Sequence, residues 1–85
     1  PKKISIYQLS KDLWNLSGKN MDEFATCCMV DDRRPLPNQN DFDTINMLNE
    51  KLPGWENQRD DIVESRTGVP SYYVWYLQRY CRTLV

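Results

Sequence analysis

An all-α fold, a single small bundle of four to five short helices, is what this sequence predicts, and three observations predict it. Apolar residues recur at three- and four-residue intervals along most of the chain and nowhere alternate as they do in a strand. Gly18, Gly54, Gly68 and the prolines fall where one apolar stripe stops and the next begins. The length, 85 residues, suits one compact domain over 1–85 with a core near the lower limit of self-sufficiency. Leu, Ile, Val and Phe supply only 19 residues, just above the level of disordered chains, so the three Trp and five Tyr must add to the core.

The first helix places Ile6, Leu9, Leu13 and Leu16 on one face, with Gln8, Lys11, Asp12 and Asn15 opposite, and ends near Ser17-Gly18. Tyr7 and Trp14 flank its stripe and close the edge of a core. Asn20 caps the second helix, with Glu23 three residues on, and Met21, Phe24, Ala25 and Cys28 share its face. Pro35 and Pro37 end that run, since proline cannot extend the hydrogen-bond ladder and disfavours the helical region for the residue before it. A stiff loop from about 32 to 40 follows. A third helix is expected from Asp41 or Asp43, burying Phe42, Ile45, Leu48 and Leu52 and stopping at Pro53-Gly54. After Trp55 comes a short polar helix whose strong core residues are Ile62 and Val63. Gly68 is its left-handed terminator, and Pro70 suits the first turn of the last helix, Ser71 to about Leu84.

Composition narrows function mostly by exclusion. The formal charge of -1 conceals a basic segment over 1–20 (+3), an acidic one over 21–65 (-7) and a basic one over 66–85 (+3). If the two ends pack together they make one basic face on an acidic body. Cys27, Cys28 and Cys81 form no C-x-x-C pair and there is no histidine, so neither a structural zinc site nor another metal site is expected. The acids beside the vicinal pair oppose a thiolate, which makes buried thiols the expected state. Without histidine or a glycine-rich phosphate loop, no catalytic residue and no cofactor are expected. No apolar run spans a membrane and no leader follows Pro1-Lys2-Lys3, so an intracellular protein, cytoplasmic or nuclear, is expected. Pro1 suggests a piece of a longer chain.

The last segment carries the functional expectation. A helical wheel puts Tyr73, Val74, Leu77, Tyr80, Cys81 and Leu84 on one side and Tyr72, Trp75, Arg79 and Arg82 on the other. Exposed Trp, Tyr and Arg together are the composition of binding hot spots. The expectation is therefore a non-enzymatic protein–protein interaction module. Trp75 is its anchor, Tyr72 and Tyr76 are the surrounding contacts, and Arg79 and Arg82 meet an acidic partner.

The stretch Ile62 to Leu77, with Gly68 at its turn, Val69 after it and Val74 six residues beyond, resembles the helix-turn-helix unit of DNA-binding domains. Glu64 stands where that pattern has a small residue. The resemblance places a helix-turn-helix within residues 57–84 and implies DNA binding as the alternative function. It would bring Ser71, Tyr72, Trp75 and Arg79 into the major groove, with Arg82, Lys2 and Lys3 on phosphates. Charge weighs against it. The isoelectric point near 5.3 is far from the value above ~9 usual for such domains, and Asp60-Asp61 lies on the helix that should cross the DNA backbone.

Overall fold

The computed structural model describes the backbone of residues 3–84 and the side chains of residues 3–80. Among these are five helices: α1 (Ile6–Leu16), α2 (Met21–Val30), α3 (Gln39–Lys51), α4 (Asp60–Thr67) and α5 (Ser71–Leu84). A single 3-10 turn, Trp55–Asn57, lies between α3 and α4. The helical bundle is thus the architecture, with α1 and α4 both packed on α5 and α2 packed on α1.

Local chemistry sets the helix ends. The Ser5 hydroxyl accepts from the Gln8 N–H, and the Asn20 side chain accepts from the Glu23 N–H at 3.0 Å. The third helix starts earlier than the sequence suggests, at Gln39 and not at Asp41 or Asp43. Its cap is Asn38, whose side chain accepts from the Asp41 N–H while the Asp41 carboxylate accepts from the Asn38 N–H, each at 3.0 Å. Asp41 is the reciprocal partner of a capping box and so sits inside the first turn. Gly68 closes α4 in the left-handed region (φ 81°), and its N–H donates to the Glu64 carbonyl.

Two departures from the sequence reading are structural. Lys3–Ser5 (β1) and Arg34–Leu36 (β2) form a two-stranded parallel pair, in register Lys3 to Arg34, Ile4 to Pro35 and Ser5 to Leu36. The stretch expected as loop therefore contains a strand, because Arg34 and Leu36 each precede a proline and are held extended by it. Both strands are edges, the one setting in which a strand tolerates proline. Phe42, expected in the core, is exposed, whereas Leu48 on the same helix is fully buried. The position of Asp41 explains it: the residue that α3 turns toward the core at its start is the carboxylate, and its neighbour is turned out.

The core is Ile6, Leu9 and Leu13 from α1, Phe24 from α2, Leu48 from α3, Val63 from α4 and Tyr73, Val74, Tyr76 and Leu77 from α5, with Trp55 and Val69 from the connections. Trp55 is buried with its indole N–H donating to Asn49 at 2.8 Å, which satisfies the one polar atom the ring brings inside.

Candidate functional site

The helix expected to present a contact face is surrounded by other elements. Tyr73 donates its hydroxyl to the Asp41 carboxylate at 2.5 Å and meets the Tyr7 ring edge-on, with centroids 5.0 Å apart. Gln78 donates to the backbone carbonyls of Trp55 and Gln58, at 2.9 and 2.6 Å. Tyr72 lies against Trp14, and Trp75 lies edge-on to Phe24 with centroids 5.0 Å apart. Between Ser71 and Tyr80, Arg79 alone is exposed.

These contacts revise the expected site. Tyr76, expected as a surrounding contact, is 2% exposed and stacks on Tyr80 at 4.7 Å, so its ring belongs to the core. Burial pushes its hydroxyl well above the usual tyrosine value, and hydrogen bonding with Tyr80 adds to the rise. Tyr72 and Trp75 are half-buried. Burial, followed by hydrogen bonding with Tyr7, raises the Tyr72 hydroxyl to about 12. The wheel divides α5 into an inner and an outer side, but α1 and α2 carry rings that cover most of the outer one. Phe24 and Trp14 take up the area that the sequence alone assigns to a partner.

What remains open is Arg79 and the groove beside it. The guanidinium lies flat over the Trp75 ring, 3.7 Å from its centroid, and Nη1 donates to the Trp75 carbonyl at 3.2 Å. Among the described residues no carboxylate lies within ion-pairing distance of it. Desolvation, dominant over the attraction of Asp60 and Cys28, holds this cation below the usual arginine value. Arg79 and Trp75 form one wall of a groove of about 400 Å³ that Met21, Arg59 and Asp60 also line. Arg59 is already engaged by Asp61 at 2.8 Å.

A second groove, about 350 Å³, lies at the other end of the same aromatic row and is lined by Lys11, Trp14, Asn15, Lys19, Ser71 and Tyr72, with Glu64 and Pro70. The four-residue spacing of Lys11, Asn15 and Lys19 is its sequence signal. That spacing has no meaning until α1 is known to lie against α5. Ser71 and Tyr72, assigned by sequence to nucleic acid, fall here, apart from the Arg79 groove.

The basic ends do meet, since α1 packs on α5. Of their basic residues, Lys11 and Lys19 line one groove and Arg79 lines the other. Lys3 is exposed at the strand pair, in register with Arg34. Lys2 and the side chain of Arg82 lie outside the described residues. Cys27 and Cys28 are free and half-buried, and burial, then the Cys27 and Asp31 charges, push the Cys28 thiol up to about 11. No helix among the described residues is long and apolar enough to cross a membrane. Compared with protein-family models, with curated proteins and with solved structures, the chain matches none.

Proposed function

We propose that this chain is a non-enzymatic interaction module that binds a protein partner at the Trp75–Arg79 groove. The observation that carries the reading is a partly desolvated guanidinium, stacked at 3.7 Å on a half-buried tryptophan, with no carboxylate partner among the described residues. Stacking uses the flat face of the guanidinium and leaves the in-plane N–H groups that do not donate to the Trp75 carbonyl to meet a carboxylate. Trp75 and Met21 add apolar contact beside it. The partner therefore presents an acidic side chain next to an apolar one.

The test is amide chemical-shift mapping with a short peptide of alternating Glu and Leu, with the Lys and Leu analogue as control. Shifts are expected for the acidic peptide alone, at Met21, residues 56–60 and residues 75–79. They should disappear in Arg79→Met, a variant that keeps the stem packed on the ring. If Arg79→Met responds as the parent does, or the shifts fall elsewhere, the reading fails.

Duplex recognition by α5 is the second reading, supported by the order helix, glycine turn, helix. An eight-residue α4 leads through left-handed Gly68 into α5, and Val63, Val69, Val74 and Leu77 are buried in the common core. Glu64 is exposed and so does not wedge the crossing. Trp14 and Phe24 cover the side of α5 that would enter the major groove, which ranks this reading second. Duplex binding that weakens steeply with salt and depends on Arg79 would promote it.

A further inference from the structure

We propose that the groove between α1 and the first turn of α5 binds single-stranded nucleic acid. This is a second site, independent of the protein-partner reading, and it uses none of Met21, Trp75 or Arg79.

The two grooves differ in the residue types that protein and nucleic-acid surfaces prefer. Lysine is depleted at protein–protein interfaces, where arginine and aromatic residues are enriched. Binders of single strands combine cations that follow the phosphates with aromatic side chains on which bases lie. The groove at α1 has the second composition, with Lys11 and Lys19 as cations and Trp14 and Tyr72 as aromatic surface. Neither lysine has an ion-pair partner among the described residues.

Arrangement favours a strand over an isolated phosphate. Lys11 and Asn15 lie one turn apart on α1, and Lys19 joins the same lining from the turn that terminates the helix. At 1.5 Å per residue Lys11 lies roughly 7–8 Å along the axis from the end of α1 at Leu16, and Lys19 stands in the turn beyond that end. The two cations therefore occupy separate points of the lining. Lys19 is also the one non-glycine residue with positive φ (63°) among the described residues, a conformation that costs about 1 kcal/mol or more. Its N–H donates to the Trp14 carbonyl at 3.0 Å, which fixes the turn that brings this lysine to the groove. The opposite wall is Ser71, whose hydroxyl serves as a donor, and Tyr72, whose hydroxyl is hydrogen-bonded with Tyr7 and which offers its ring. Glu64 is the single acid in the lining, so the groove keeps a net positive charge inside an acidic protein.

Fluorescence anisotropy with a labelled oligothymidylate, titrated over a range of salt, tests this. The single strand should bind more tightly than a duplex of equal length. Lys11→Ala/Lys19→Ala should weaken low-salt binding by about tenfold or more. Because each single-strand phosphate contact contributes about 0.7 to the salt slope, the double variant should flatten it by about 1.4. Arg34→Ala/Lys51→Ala removes the same charge elsewhere and should leave affinity close to the parent's, as should Arg79→Met. All four residues of the two pairs are exposed, so circular dichroism should find both double variants folded. The proposal is overturned by a lack of binding at low salt, by tighter duplex binding, or by equal loss in both double variants. A loss confined to Arg79→Met would overturn it too and would point back to α5.

Discussion

The two grooves along α5 hold the same kinds of residue, aromatic rings and cations, yet they offer different chemistry. At one, Arg79 lies flat on Trp75, so the cation is held in place and partly desolvated. At the other, Lys11 and Lys19 stand exposed beside Trp14 and Tyr72, with no ring contact of their own among the described residues. A stacked guanidinium meets a partner with a fixed planar fork, whereas an ammonium on a flexible stem acts as a mobile point charge. Shape-specific recognition of a carboxylate suits the first groove, and tolerant tracking of phosphates suits the second. Phe24 separates them, with its ring edge-on to Trp14 at 5.6 Å and to Trp75 at 5.0 Å.

Phe24→Ala should therefore break the comparison most severely. The ring is fully buried, and its loss should cost about 3–5 kcal/mol, a large share of the stability of so small a domain. Urea unfolding measures this, and the surviving folded fraction should have altered tryptophan emission from both grooves.

Next in size is Tyr73→Phe. This hydroxyl fixes the rotation of α5 through its bond to buried Asp41, and rotation decides which residues reach each groove. Removing it leaves a carboxylate oxygen short of a donor inside the protein, at a cost of about 1–3 kcal/mol in the same assay. Amide shifts should move along the whole of α5.

Arg79→Met sharpens the comparison, since it should touch one groove only. It should lower stability by about 0.5–1 kcal/mol, the size of an exposed cation–π contact. Amides lining the Lys11–Lys19 groove should keep their shifts. A change there would mean that Phe24 couples the grooves instead of separating them.

The smallest effect concerns α1, the helix that supplies Lys11. Arg33 bonds Asp31 at 2.9 Å and Asp12 at 3.0 Å, tying the segment after α2 to α1. Its hydrogen bonds hold the Asp31 carboxyl below the ordinary value of 3.8. A depressed folded-state pKa means that the stabilisation is complete above the unfolded value and disappears as pH falls through the folded one. Comparing parent and Arg33→Met should give a difference of under about 1 kcal/mol near pH 7 that shrinks below pH ~4.

Much of the local structure was legible in the residues. Asn20 acts as a cap, Gly68 is the left-handed terminator, and Ile6, Leu9 and Leu13 of the expected stripe are buried, whereas Leu16, expected on the same stripe, is exposed because it falls at the end of α1. Each depends on neighbours within about four positions, which a sequence displays directly. The strand pair was not legible, because Lys3–Ser5 and Arg34–Leu36 are three residues each, too short for alternation to register. Nor was the partner of Asp41, since its bond to Tyr73 joins residues 32 positions apart. The candidate surface was legible only in part. Arg79 is exposed as the wheel implies, while Tyr76 went inward and Trp75 acquired Phe24 as a neighbour.

By itself the sequence determined a helical bundle, where most of its helices start and stop, and the concentration of positive charge toward the two ends. Those properties follow from backbone propensity, side-chain periodicity and counting. The tertiary structure alone decided that α5 is enclosed on most sides and that Lys11 and Lys19 line one groove while Arg79 lines another. The physical reason is that a side chain's exposure depends on what packs over it. A wheel drawn for one helix contains no information about the rings of Trp14 and Phe24, which arrive from other helices more than fifty residues away.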